Sequence, residues 1–197
     1  RKKVNHGVGK AIHDWQMISE NDKILVAVSG GKDSQTLLDI LFSFQKKSPI
    51  KFDLLPVHID AGFDGSFAKD LADFIKTRYT EPRIEYKNYG VLAHSDANTE
   101  NPCFLCSRLR RKRLFEIAEK EGCKKIALGH HLDDLVDTTL INLCFRGSFT
   151  TMLPVQEFFK GKLEIIRPMC EVPENMVKNV TAFLELPVQN IPCPYRD

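Results

Sequence analysis

Short runs of branched apolar residues alternate along this chain with stretches whose apolar positions recur every three or four residues. Lys23-Ile-Leu-Val-Ala-Val28 is the clearest run and reads as a buried strand. Phe52 to Ile59, Lys125 to Leu128 and Leu163 to Arg167 read the same way, with Arg83 to Lys87 as a shorter strand. Between them, Leu37, Leu38, Ile40, Leu41 and Phe44 line one side of a helix predicted over Asp33 to Lys46. Further helices are predicted over Ser66 to Tyr79, Phe104 to Glu121 with Gly122 as its stop, Leu132 to Phe145, and Pro173 to Leu186. Residues 3 to 18 carry Val4, Val8, Ala11, Ile12 and Trp15 at helical spacing. The polar stretch from Asn88 to Pro102 predicts a loop with at most one helical turn, and Gly147 to Lys162 an irregular or hairpin-like segment.

Strands that alternate with helices imply crossover units, hence an α/β fold: a parallel five-stranded sheet with helices on both faces. The predicted division is an N-terminal basic helix over 1–20 and the α/β domain over 21–197. A length of 197 residues fits one substantial core, and 43% hydrophobic with 27% charged residues is an ordinary balance for a globular chain. No run approaches the ~18 apolar residues of a membrane span. The chain begins at Arg1 rather than Met, and no apolar signal core follows its first basic residues. That predicts a cytoplasmic, reducing setting in which a disulfide framework is disfavoured.

A net charge of +2 says little, but its distribution says more. Arg108-Leu-Arg110-Arg111-Lys112-Arg113 places five cations in six positions, and Arg1, Lys2, Lys3 and Lys10 make the amino end basic. Such clusters attract phosphate backbones or form a solvated helix face, and the residues alone leave both open.

Candidate chemistry gathers where strands should end. Ser29-Gly30-Gly31-Lys32-Asp33-Ser34 joins the first strand to a helix. Glycines there tolerate positive backbone dihedrals and a close phosphate, and the helix start offers amides and a favourable dipole. Lys32 adds a cation, Ser29 and Ser34 add hydroxyls, and Asp33 can cap the helix or help hold a magnesium ion. A Walker A loop is excluded, because Asp follows Lys32 and Val26 occupies the first glycine position. Gly129-His130-His131-Leu132-Asp133-Asp134 follows the fourth strand and opens a helix, where the carboxylates can cap it or form a site. His58-Ile59-Asp60 closes the second strand. In parallel sheets, ligands bind beyond such carboxyl ends, where strand order reverses.

Six cysteines fall at 103, 106, 123, 144, 170 and 193. Cys123, Cys144 and Cys170 lie in or beside apolar runs and read as buried small hydrophobes. Pro102-Cys103-Phe-Leu-Cys106 precedes the basic helix, whose nearby amino end and cations favour thiolates. The pair fits half a zinc site, a redox couple or an iron–sulfur site. Cys193 in Ile191-Pro192-Cys193 is an isolated third thiol, and three thiolates with one open position suit a [4Fe–4S] cluster better than closed structural zinc.

Ser-Gly-Gly-Lys-Asp-Ser resembles the PP-loop of the N-type ATP pyrophosphatases, which have an adenine nucleotide alpha hydrolase-like fold. Pro102-Cys103-Phe-Leu-Cys106-Ser-Arg-Leu-Arg-Arg111, Gly-His-His-x-Asp-Asp, Ile166-Arg167-Pro168 and Ile-Pro-Cys at 191 to 193 are similar to the tRNA 2-thiocytidine synthetase family. The resemblance implies ATP-dependent adenylation of a tRNA cytidine, at position 32, and its conversion to 2-thiocytidine. It implies ATP on Ser29, Gly30, Gly31, Lys32, Asp33, Ser34, His58, Asp60 and Gly129, with Asp33 on Mg2+. Lys32, Asp33, His131 and Asp134 are the implied catalytic group. Cys103, Cys106 and Cys193 would hold the cluster, and Arg108, Arg110, Arg111, Lys112 and Arg113 would meet the tRNA. The implied partners are tRNA, a sulfur donor such as a cysteine desulfurase and a second copy of the chain, with no membrane. Familiar members of the family continue well beyond the position matching Asp197. The rival readings are a lysidine-type or small-molecule PP-loop ligase, a 2-thiouridine enzyme, and a non-catalytic nucleotide-binding or redox module.

Overall fold

A computed structural model describes residues 1–189 and Cys193. Ile191 and Pro192 of the Ile-Pro-Cys motif lie outside the described residues. The chain begins with α1 (Lys2–Asp14) and then alternates: β1 (Lys23–Ala27), α2 (Lys32–Gln45), β2 (Asp53–Asp60), α3 (Ala68–Arg78) and β3 (Arg83–Tyr86). The one-turn α4 (Tyr89–Ala93) and the long α5 (Pro102–Glu121) precede β4 (Lys125–Ala127) and α6 (Leu132–Arg146). A hairpin of β5 (Val155–Phe158) and β6 (Leu163–Ile166) leads to α7 (Glu174–Phe183).

The strands form one sheet in the order β3-β2-β1-β4-β6-β5. β1 pairs in parallel with β2 on one side and β4 on the other, Val26 standing opposite both Pro56 and Ala127. The chain builds outward from β1 to β3, then returns to the far side of β1 as β4. Order therefore reverses between β1 and β4, and the segments following those two strands carry the glycine-rich and paired-histidine motifs.

Alternation along β1 divides the core. Ile24 and Val26 pack in a cluster with Leu37 and Leu41 of α2, Val8 and Ile12 of α1 and Val177 of α7. Leu25 joins the opposite cluster with Ile117 and Ala118 of α5, Ile126 and Ile165. The sheet thus has helices on both faces, as expected. α1 shares the larger core through Val4, Val8, Ala11 and Ile12. Two of its cations are ion-paired, Arg1 reaching the buried Asp39 at 2.8 Å and Lys10 reaching Asp14 and Glu171, while Lys2 and Lys3 are exposed. Trp15, expected on the apolar side, is the C-cap and is 48% exposed.

All five expected strands are present, and a sixth corrects the count. β5 is antiparallel to β6 at the sheet edge, Val155 facing Ile166. Its Val-Gln-Glu-Phe sequence has no continuous apolar run to announce it, and its turn uses positive φ at Phe159, Lys160 and Gly161. A second correction concerns Cys144: Cys123 and Cys170 are buried, but Cys144 is exposed. The reason is that α6 has no buried residue at all. Among the described residues, no helix is long and apolar enough to cross a membrane.

Candidate active site

The loop after β1 is held by its own hydroxyls. Ser29 N donates to Ser34 Oγ at 3.1 Å, and Ser34 Oγ donates to the Gly31 carbonyl at 3.0 Å. Gly30 alone is left-handed, at φ +90°, and a Cβ there would lie 2.4 Å from the Phe67 ring. Gly31 is the N-cap of α2 in ordinary extended backbone. Asp33 stands in the first turn, not at the cap. Gly129 serves a different purpose. A Cβ on it would come 3.0 Å from Asp33 C and Ser34 N, so only glycine lets the end of β4 approach the start of α2 this closely.

Lys32 Nζ lies 2.9 Å from both Asp33 oxygens and 3.0 Å from Glu174 Oε1 at the start of α7. Burial lowers the Lys32 pKa, but the contacts with Asp33 and Glu174 outweigh it and raise the group above its ordinary value. Lys178 and Lys32 together hold the Glu174 carboxyl down at about 2.

A cavity of about 380 Å³ opens over these loops, bordered by Ser29, Asp33, Ser34, His130 and Asp134, with Arg110 and Arg111 reaching in from α5. A smaller recess beside it is lined by His58, Asp60, Phe67 and, again, Ser29 and Arg110. His58 donates from Nδ1 to the Val28 carbonyl at 2.8 Å. Burial pushes its pKa down, opposed by that hydrogen bond, and Arg110 pushes it down further. Asp60 is occupied by its own loop, accepting from Gly62 N at 2.8 Å and from the Ser66 hydroxyl.

The two adjacent histidines have separate places. His131 is the buried N-cap of α6 in a capping box: its N–H donates to Asp134 Oδ2 at 2.8 Å, and its Nδ1 accepts from Asp134 N at 3.4 Å. Its Nε2 is 3.7 Å from Asp33 Oδ1. His130 borders the cavity. Its Nδ1 accepts from Arg167 Nε at 3.3 Å, which leaves the ring proton on Nε2. Burial lowers the His130 pKa, and the Arg167 guanidinium lowers it further, so the ring is neutral. Sequence reasoning placed His131, and not His130, in the catalytic group. The signal that separates them is which residue caps the helix. Asp133 accepts from Glu174 N at 2.7 Å and so ties α6 to α7.

Along α5 the five cations divide. Arg108 pairs with Glu100, Lys112 with Glu116, and Arg113 with Glu85 and Glu116. Arg110 and Arg111 face the cavity without a carboxylate partner among the described residues. Cys103 is exposed, while Cys106 and Cys193 are half-buried, and none is in a disulfide. Burial raises the Cys106 pKa. Arg110 opposes this, and Cys193 and Cys103 add to it. The expected lowering by cations is thus outweighed at Cys106. Among the described residues, no three potential ligands already converge as a metal-binding group.

The family model for the PP-loop domain matches residues 2–187. A tRNA-cytidine(32) 2-sulfurtransferase from Acidovorax ebreus is 42% identical over 193 residues, covering 98% of this chain and 60% of the relative. One from Geobacter metallireducens is 37% identical over 98% of this chain and 76% of the relative. The U34-tRNA thiolase NcsA from Methanococcus maripaludis, solved with its [4Fe-4S] cluster, superimposes with a TM-score of 0.79 at 27% identity, covering all of this chain and 67% of that one. The chain spans about 60% of the length of the first curated relatives it matches. It belongs to the PP-loop family and, within it, to the tRNA-cytidine(32) 2-sulfurtransferase family.

Proposed function

We propose that this chain carries the adenylation and sulfur-insertion centre of an enzyme that converts tRNA cytidine 32 to 2-thiocytidine. One observation carries the reading. Ser107, next to Cys106 in the chain, borders the cavity together with Ser29 and Arg110, so the nucleotide loop and the thiol-bearing start of α5 share one neighbourhood. Family membership supports the same assignment.

On this reading ATP lies on the amides and hydroxyls of residues 29–34, with Gly129 leaving room and its adenosine in the recess at His58 and Asp60. Asp33, a carboxylate bordering the cavity whose oxygens now face Lys32 Nζ, would hold Mg2+ when the nucleotide brings it. The cytidine O2 attacks the α-phosphorus, and pyrophosphate leaves with the electron pair of the broken P–O bond. Lys32 and the loop amides meet the charge that develops. Asp134 and the neutral His130, with its Nε2 proton, face the target base. His131 acts from behind as a positioning residue for Asp33 and Asp134. Sulfide then attacks C2, and AMP departs with the electrons of the C2–O bond.

Cys103, Cys106 and Cys193 fit a [4Fe–4S] group as free thiols of soft donor character, and they would hold it. When bound, such a cluster supplies an iron without a protein ligand, where sulfide can reside. Arg108, Lys112 and Arg113 meet the tRNA backbone, while Arg110 and Arg111 hold the phosphate nearest the target nucleotide. Sulfur comes from a donor such as a cysteine desulfurase, in the cytoplasm.

The expected result is ATP cleavage to AMP and pyrophosphate that tRNA stimulates and rising salt suppresses, as charge release from phosphate contacts requires. It is read by pyrophosphate release; stimulation by a small amine and not by tRNA would contradict the reading. A homodimer is also proposed, with α6 as its surface. Val136, Leu140, Ile141 and Leu143 are each about half exposed there, and Phe149 is 83% exposed just beyond. Contiguous apolar surface of this kind marks an interface. Leu140→Glu is expected to give a monomer by light scattering; a wild-type protein that is already monomeric would rule the dimer out.

A further inference from the structure

The phosphate loop is tied to the segment that carries Cys193. Gln35, in the first turn of α2, is 1% exposed, and its Nε2 donates to two carbonyls at 2.7 Å, those of Gly30 and Pro187. The Gly30 carbonyl also accepts from Gln189 N at 3.0 Å. Gln35 Oε1 is buried without a partner among the described residues, so the side chain's hydrogen bonding consists of these two donations. Beside it, the Thr36 and Thr181 hydroxyls lie 2.8 Å apart, both buried, joining α2 to α7 just before the strap leaves that helix. Gly30 is the one left-handed residue of the loop, with Phe67 packed where its side chain would be. Its carbonyl is therefore presented to residues 187–189, and Cys193 follows four positions later.

We propose that Gln35 is a positioning residue for the Cys193 thiol. By clamping residues 187–189 to Gly30, it makes the placement of Cys193 depend on the conformation of the phosphate loop. Nucleotide binding and the third thiol are thereby coupled through one carbonyl. A buried amide has no water to fall back on, so losing the donation to Pro187 loosens the strap and leaves the Gly30 carbonyl with Gln189 N as its one remaining donor from residues 187–189. The inference rests on reading residues 29–34 as the ATP loop and the three cysteines as one ligand set.

The test labels the intact protein, cluster-free and anaerobic, with iodoacetamide and reads the rate at each cysteine by peptide mass spectrometry. Gln35→Met keeps the volume and removes both donors. Gln189→Pro removes the backbone N–H from the other side of the Gly30 carbonyl and leaves buried α2 untouched. In Gln189→Pro, Cys193 is expected to label about fivefold faster, the factor matching one net hydrogen bond, and in Gln35→Met, which loses two, at least as fast. Cys103 and Cys106, held on α5, keep their rates. Added ATP slows Cys193 in the wild type and no longer does so in Gln35→Met. Wild-type rates at Cys193 in both variants would overturn the inference. Equilibrium dialysis of ATP separates the two failures: no ATP binding by the wild type contradicts the loop reading, whereas ATP binding with unchanged Cys193 labelling contradicts the coupling.

Discussion

Replacing Lys32 with Ala is expected to lower tRNA-stimulated pyrophosphate release by about 10²- to 10³-fold, the range for removing one preorganised stabiliser of developing charge. The Lys32 ammonium is held 2.9 Å from Asp33 and 3.0 Å from Glu174, so two carboxylates keep it charged at the start of α2. On the proposed reading a nucleotide phosphate would take the place of Glu174 as its anion. Lys32 is half-buried at the start of α2, and its ion pairs to Asp33 and Glu174 are between side chains that all reach solvent. The fold should therefore survive with a stability change within roughly 0.5 kcal/mol, checked by thermal melting. Asp33→Ala should show a comparable loss, part of it restored by raised Mg2+ if that carboxylate holds the metal. A Lys32→Ala protein with wild-type pyrophosphate release would mean that phosphate binds elsewhere.

The second large effect concerns iron. Anaerobically reconstituted wild-type protein is expected to hold roughly four irons per chain, the content of one [4Fe–4S] cluster. Cys193→Ala, Cys103→Ala and Cys106→Ala should each bring iron and the brown colour close to zero, because two thiolates leave two irons without a protein ligand. Cys144→Ala serves as the internal control. It is a free, exposed thiol on α6, with no part in the group around Cys106. Retention of full iron by Cys193→Ala would remove the third ligand from the account. Burial raises the Cys106 pKa, and Cys193 adds to the rise alongside Cys103 although it lies far away in sequence.

Much of the architecture is legible in the residues, for identifiable reasons. Ile24, Leu25 and Val26 are fully buried on both faces of the sheet, and that is why β1 reads as an unbroken apolar run. Gly122 stops α5 because the helix ends on a left-handed residue, at φ +70°, where glycine carries no penalty. The reversal of strand order between β1 and β4 brings together two motifs about a hundred residues apart. Other features depend on three-dimensional context. β5 is an edge strand of only four residues, so no apolar run marks it. α6 carries enough apolar residues to look like a core helix, yet buries none of them. Which of His130 and His131 faces the cavity turns on where the first helical turn begins, a boundary that shifts by a residue without any change in composition. Gln35 reads as an ordinary polar residue until its two carbonyl partners, 5 and 152 positions away, are seen. Arg167 is one member of a short motif in sequence. In the fold it is the buried cation that fixes the His130 tautomer.

The account as a whole requires that the product be a thiolated cytidine. Mass spectrometry of tRNA nucleosides from cells lacking the gene tests this directly. Loss of 2-thiocytidine at position 32, restored by the wild-type gene and not by Lys32→Ala or Cys193→Ala, is the predicted result. Undiminished 2-thiocytidine in those cells would contradict it.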